Sequence, residues 1–153
     1  MNKKQKSLTN KGFSLVELII VIAIMAVLVG VLAPQFIKYV EQSRRSTDIQ
    51  NAENIKTAVL ADIADGTLTS TSTSDISVEY TGTTAGFKAS SISETPKVKG
   101  NLVNHNGNFT VVYNVSAGTC HVYPEASDTR YDLTDSTTAS NYKTDTTPRT
   151  TTP

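Results

Sequence analysis

The sequence predicts an α+β protein of 153 residues. One long N-terminal helix comes first, its first half embedded in a membrane and its second half packed on a small antiparallel sheet. A flexible Ser/Thr-rich C-terminal tail follows. Three observations carry that expectation. Phe13 to Ala33 is apolar on every helical face, with Ser14 and Glu17 the clearly polar residues. From Ile49 to Ile63 apolar residues recur at 3–4 spacing on one stripe. Beyond Gly66 the pattern changes to Thr/Ser/Gly-rich stretches separating short alternating runs. The implied divisions are a basic leader over 1–12, a membrane half of the helix over 13–33 and an amphipathic half over 34–66. A Ser/Thr-rich loop and antiparallel β head then occupy 67–123, and a largely flexible tail 124–153.

The leader is set apart by charge. Lys3, Lys4, Lys6 and Lys11 precede the apolar run with no acid among them, although the chain as a whole is balanced at 14 basic and 14 acidic residues. Without Met1 to Gly12 the net charge becomes −4, which gives no basic footprint for direct nucleic-acid binding. Basic residues ahead of an apolar span place the N-terminus on the cytoplasmic side.

The 21 residues from Phe13 to Ala33 would span roughly 32 Å as a helix, close to the ~30 Å hydrocarbon core of a bilayer. Val31-Leu32-Ala33 superficially resembles a secretory cleavage site, but Pro34 would then open the mature chain. Its fixed φ and missing N–H suit that position badly. Cleavage ahead of the run, between Gly12 and Phe13, is the alternative that keeps the anchor. Glu17 is the anomaly. A carboxylate at the bilayer centre costs roughly 2.5–3.5 kcal/mol on insertion scales. Glu17 lies instead about one turn from the start, near the interface and near a helix N-terminus that favours negative charge.

The stretch "KGFSLVELIIVIAIMAVL" closely resembles the N-terminus of type IV prepilins and the related pseudopilins. That resemblance covers roughly Lys11 to Arg45. It implies a leader ending at Gly12, cut after that glycine by a membrane-embedded prepilin peptidase that also methylates the new N-terminal amine of Phe13. It further implies that Glu17, the fifth mature residue, pairs with the Phe13 ammonium of a neighbouring subunit. A Gram-positive type IV pilin is the closer comparison in one respect, since a lone cysteine leaves no disulfide-bounded C-terminal loop.

Further along the helix, Pro34 cannot donate to the Gly30 carbonyl, which makes Gly30 to Pro34 the softest segment. Glu41 with Arg45 and Arg44 with Asp48 are candidate i,i+4 ion pairs. Gly66 suits the left-handed position that ends a helix. The helix should therefore run from about Phe13 to Asp65, with charges all round between Lys38 and Asp48. In the head, "ISVEY" (76–80) and "GFKASSI" (86–92) read as short strands. "VKGNLV" (98–103) and "NFTVVYNV" (108–115) read as a hairpin around Asn106-Gly107. Phe109, Val111, Tyr113 and Val115 alternate onto one face, and "SAGT" turns the chain into "CHVYP" (120–124). "RYDL" (130–133) is a candidate edge strand. Thirteen Ser/Thr residues among the thirty from Pro124 to Pro153 argue that the tail buries too little to order itself.

Catalytic and cofactor signatures are missing: no G-x-S-x-G, no phosphate-binding glycine loop and no H-E-x-x-H occurs. His105, His121 and Cys120 lack zinc spacing, and Cys120 reads as a buried inert thiol. Asp62 with Asp65, and Asp128, Asp132 with Asp135, lack EF-hand spacing and read as solvated turns. No metal, cofactor or enzymatic activity is expected. The expected role is a structural subunit of a type IV pilus, serving surface attachment or motility. Its partners would be the prepilin peptidase/methyltransferase, the membrane, the pilus assembly machinery and further copies of itself. Before assembly it would be a single-pass membrane protein, and afterwards part of an extracellular filament. The alternatives are a pseudopilin of a type II secretion or competence DNA-uptake system, and a single-pass surface binding protein that never polymerises.

Overall fold

Helix α1 spans Leu15–Ala64 without interruption in the computed structural model, which describes residues 12–66, 76–79, 95–125 and 130–145. The chain divides into two units at Lys38 and Tyr39. In the first unit every described residue is exposed, from Gly12 through Lys38. Pro34 lies inside the helix, and the segment from Gly30 is held as α-helix despite the missing proline donor.

In the second unit α1 buries Arg45, Asp48, Ala52, Ile55, Val59 and Asp62, an unbroken 3–4 spacing with Ala58 beside it. The helix stops as expected. Gly66 has φ of 71° and its N–H donates to the Ile63 carbonyl at 3.1 Å. Two readings of this stripe need correction. The stripe does not fade before Ile49 but continues through the buried charges Arg45 and Asp48. Asp62 is likewise buried at 4% exposure rather than part of a solvated turn. The pair Glu41–Arg45 forms at 2.9 Å, but Asp48 does not turn to Arg44; it accepts from the backbone N–H groups of Lys99 and Gly100.

The sheet contains β1 (Ile76–Glu79), β2 (Thr110–Asn114) and β3 (Thr119–Tyr123), antiparallel and ordered β1-β2-β3. Ile76 opposes Tyr113, and Tyr113 in turn opposes Cys120. The alternation read from the sequence holds at Phe109, Val111 and Tyr113, which are buried, while Val115 is half-buried against the same core. Gly118, at φ of 66°, closes the β2–β3 turn. Cys120 is buried, and desolvation pushes its thiol up to about 11. The candidate strand at 86–92 lies outside the described residues.

The hairpin expected at 98–115 is only half present. Residues 98–103 form no strand, and a single bridge joins Lys97 to Asn108. The reason lies in the donors: the N–H groups of Lys99 and Gly100 go to Asp48, and that of Asn101 goes to Glu41. Backbone used by helix side chains cannot also ladder with a strand. The turn itself does form, with Asn104 and Asn106 at positive φ and the Gly107 N–H donating to the Asn104 carbonyl at 2.8 Å.

The largest correction concerns the tail. Residues 130–145 are ordered into the core, with helix α2 at Ser136–Thr144. Asp135 caps it by accepting from the N–H groups of Thr137 and Thr138 at 3.0 Å each. Tyr131, Leu133, Ala139 and Tyr142 are buried, and Tyr142 is fully so. "RYDL" forms no strand, although Leu133 donates one backbone bond to the Val122 carbonyl on β3 at 2.9 Å. Asp132 bridges to His121 at 2.6 Å and accepts from Thr134, so it is committed to this packing. Among the described residues no three His, Cys, Asp or Glu side chains gather as metal ligands would.

Two measurements follow from this packing. Leu133→Ala should lower the unfolding free energy of the full chain in detergent by about 2–5 kcal/mol, read from chemical denaturation; a loose tail would give no change. Desolvation raises the Asp48 carboxyl above 3.8, opposed by its hydrogen bonds to Lys99, Gly100 and Tyr142. A carboxyl raised by folding favours the fold most below its unfolded value and loses that contribution as pH rises through the folded value. Thermal midpoints taken from pH 3.8 upward should therefore contain a downward component that Asp48→Asn removes.

Candidate processing and assembly site

The first turn of α1 brings together three of the residues singled out from the sequence. Gly12, Phe13 and Ser14 precede the helix, and Glu17 lies in its first turn. The Ser14 carbonyl accepts the first helical bond, from the Leu18 N–H at 3.2 Å, which makes Ser14 the capping residue. Three residues on, the Glu17 carboxylate reaches back and accepts the Ser14 N–H at 2.9 Å. This is the return half of a capping box, written in the sequence as Ser-x-x-Glu. Placing an acid here also sets negative charge at the positive end of a 50-residue helix.

Phe13 is 85% exposed. Among the described residues a Cβ built on Gly12 meets nothing within 4 Å, and Gly12 is not one of the glycines found at positive φ. The described residues therefore place no demand on a glycine at that position.

From Leu15 to Tyr39 the large apolar side chains are 46–73% exposed. Among the described residues none of them is buried against anything else in the chain. The helix is long and apolar enough to cross a membrane. Such a surface, apolar on every face, needs an apolar surrounding that a single chain does not provide. Gly30 and Pro34 belong to this stretch but stand apart from the first-turn group, more than three turns along the helix.

A family model for the prokaryotic N-terminal methylation motif matches residues 8–33. Residues 8–33 thus carry the N-terminal methylation motif, which supports the resemblance to type IV prepilins. Part of the chain is also similar to the type IV major fimbrial protein FimA of Dichelobacter nodosus. The two are 38% identical over 56 residues, which is 37% of this chain and 36% of that protein. The alignment thus spans about a third of the fimbrial protein's length. No solved structure matches the chain. The match on 8–33 takes in the first-turn group and most of the exposed apolar stretch of α1.

One feature of this site was not expected from the sequence: Glu17 already has a partner in the single chain. The signal was present, because Ser14-x-x-Glu17 ahead of an apolar run is a helix-start signature. It follows that Glu17→Ala should leave the Ser14 amide without its acceptor. Hydrogen exchange of the full chain in micelles should then speed up at Ser14 by several-fold and stay unchanged beyond the second turn.

Proposed function

We propose that the chain is a structural subunit of a type IV pilus, matured by cleavage between Gly12 and Phe13 and by methylation of the Phe13 amine. It then polymerises through the first half of α1. The observation that carries this reading is the pairing of an acid, Glu17, with an apolar helix that has no cover of its own from Leu15 to Tyr39. Before assembly, the bilayer supplies that cover and the basic leader holds the N-terminus on the cytoplasmic side. After assembly, other copies supply it and the head stands outside the cell.

Gly12 supports the same reading from another direction. A glycine that the chain's own packing does not need suits an extended backbone read closely by an enzyme, here a prepilin peptidase. Cleavage turns the Phe13 amide nitrogen into an ammonium, and Glu17, four residues on, supplies the opposite charge. One oxygen of Glu17 accepts from Ser14, and a carboxylate has about four acceptor positions in all. Capping its own helix and meeting the amine of a neighbouring copy are therefore compatible. In an apolar surrounding an unpaired carboxylate is costly, so this pairing sets the axial register of one copy against the next. Gly30 and Pro34, where the helix lacks one internal bond, are the place where α1 can loosen as copies pack.

Mass spectrometry of surface material should find a chain beginning at N-methyl-Phe13. An intact leader in cells that have an active prepilin peptidase would overturn the reading. Electron microscopy of sheared cells should show long filaments that Glu17→Ala abolishes or sharply reduces. Short stubs confined to the envelope would identify a pseudopilin instead.

A further inference from the structure

Three parts of the second unit converge on one point, and Gly100 marks it. A Cβ on Gly100 would lie 2.7 Å from the Tyr142 hydroxyl, 2.9 Å from a carboxylate oxygen of Asp48 and 2.9 Å from Arg45 Cγ. Real Cβ atoms do not approach that closely, so the clearance exists because residue 100 is glycine. Around it, Asp48 accepts from Lys99 N–H at 2.6 Å, Gly100 N–H at 2.8 Å and the Tyr142 hydroxyl at 2.9 Å. All three donors are uncharged, and Asp48 itself is fully buried.

Arg45, one turn earlier on α1, faces the other end of the same element. Its Nη1 donates to the carbonyls of Tyr142 (3.1 Å) and Asp145, while its Nε holds Glu41 at 2.9 Å. The guanidinium thus sits at the C-terminal end of α2, where carbonyls lack helical donors and the helix dipole favours a cation. Its carbon lies 5.8 Å from the centre of the Tyr142 ring. Glu41 completes the group by accepting from the Asn101 N–H at 2.6 Å and its side-chain amide at 3.0 Å.

At its other end the same segment is attached to the sheet. Leu133 donates to Val122 of β3, and Asp132 holds His121, also on β3. Between these attachments the Tyr131 ring packs edge-on against Tyr142 at 5.4 Å, and the Tyr131 hydroxyl donates to Asp145.

We propose that residues 130–145 form a strap running from β3 to α1, with Asp48 and Arg45 as its catch and Gly100 as the clearance that lets it seat. Contacts 94–100 residues apart in sequence close the unit, in a chain with a single cysteine. A polar catch thus stands where a chain with more cysteines could place a disulfide. With the strap released, Asp48 loses the Tyr142 hydroxyl and the C-terminal end of α2 loses the Arg45 guanidinium. Release of the strap uncovers the edge of β3, where Cys120 neighbours His121 and Val122.

Cys120 supplies the readout, because it is the sole thiol and is buried. The full chain in detergent micelles is exposed to a thiol-reactive maleimide at fixed pH, with hydrogen exchange followed in parallel. Tyr142→Phe, which removes one hydroxyl and keeps the ring, should raise the Cys120 labelling rate roughly tenfold. Gly100→Ala should raise it at least as much. Exchange should accelerate at 130–145 while the amides of Ala52 to Ile63 and of β2 stay protected. Lys143→Ala, an exposed change on the same helix, should label at the wild-type rate. An unchanged rate in Tyr142→Phe would overturn the proposal. So would an equal loss of protection in α1, β2 and 130–145, which would make the segment part of one undivided core.

Discussion

A buried carboxylate on a helix has to be answered by donors from somewhere, and the donors that answer Asp48 shape the second unit around it. Two come from the backbone at Lys99 and Gly100, and one from the Tyr142 hydroxyl. By taking those N–H groups, α1 prevents 98–103 from becoming a strand. By taking the hydroxyl, it draws the C-terminal helix down beside itself. An unfilled acceptor at a fully buried site would cost about 1–3 kcal/mol, a large share of the fold's small net stability, so these contacts help to close the unit.

Helix α1 meets two different requirements with one backbone. Over its first part the side chains are apolar all round and exposed, which suits a bilayer or a bundle of identical helices. Over its second part a single stripe is buried and the opposite side is polar. The change falls where Glu41, Arg45 and Asp48 take over positions that Ile, Leu and Val hold elsewhere. A charged residue on the stripe is tolerated there because each one is answered by a partner from the head. The family match covers residues 8–33 and does not extend into the second part.

The C-terminal segment shows how composition can mislead. Ser and Thr dominate 124–153, and few residues there are large and apolar. Yet Tyr131, Leu133 and Tyr142 are enough, because they fill a surface that α1 and the sheet have already ordered. An isolated helix of nine residues is unstable alone, but here it has a cap at Asp135 and a cation at its far end. The cap is local, although the sequence reading placed Asp135 in a solvated turn, whereas the cation, Arg45, lies about 100 residues away.

The sequence by itself determined the apolar first half of α1, its end at Gly66, the β2–β3 hairpin and the grouping of Gly12, Phe13 and Glu17. Each of these depends on neighbours within a few residues, through helical or strand periodicity, turn geometry or a single helix turn. Only the tertiary structure decided the fate of 98–103, the burial of Arg45, Asp48 and Asp62, and the ordering of 130–145. Those outcomes depend on hydrogen bonds between groups about 50 to 100 residues apart. The 3–4 spacing continues through Arg45 and Asp48, although their charge led the sequence reading to begin the stripe at Ile49. Periodicity could not say what would satisfy them, because the partners are backbone N–H and C=O groups, and those are the same at every residue.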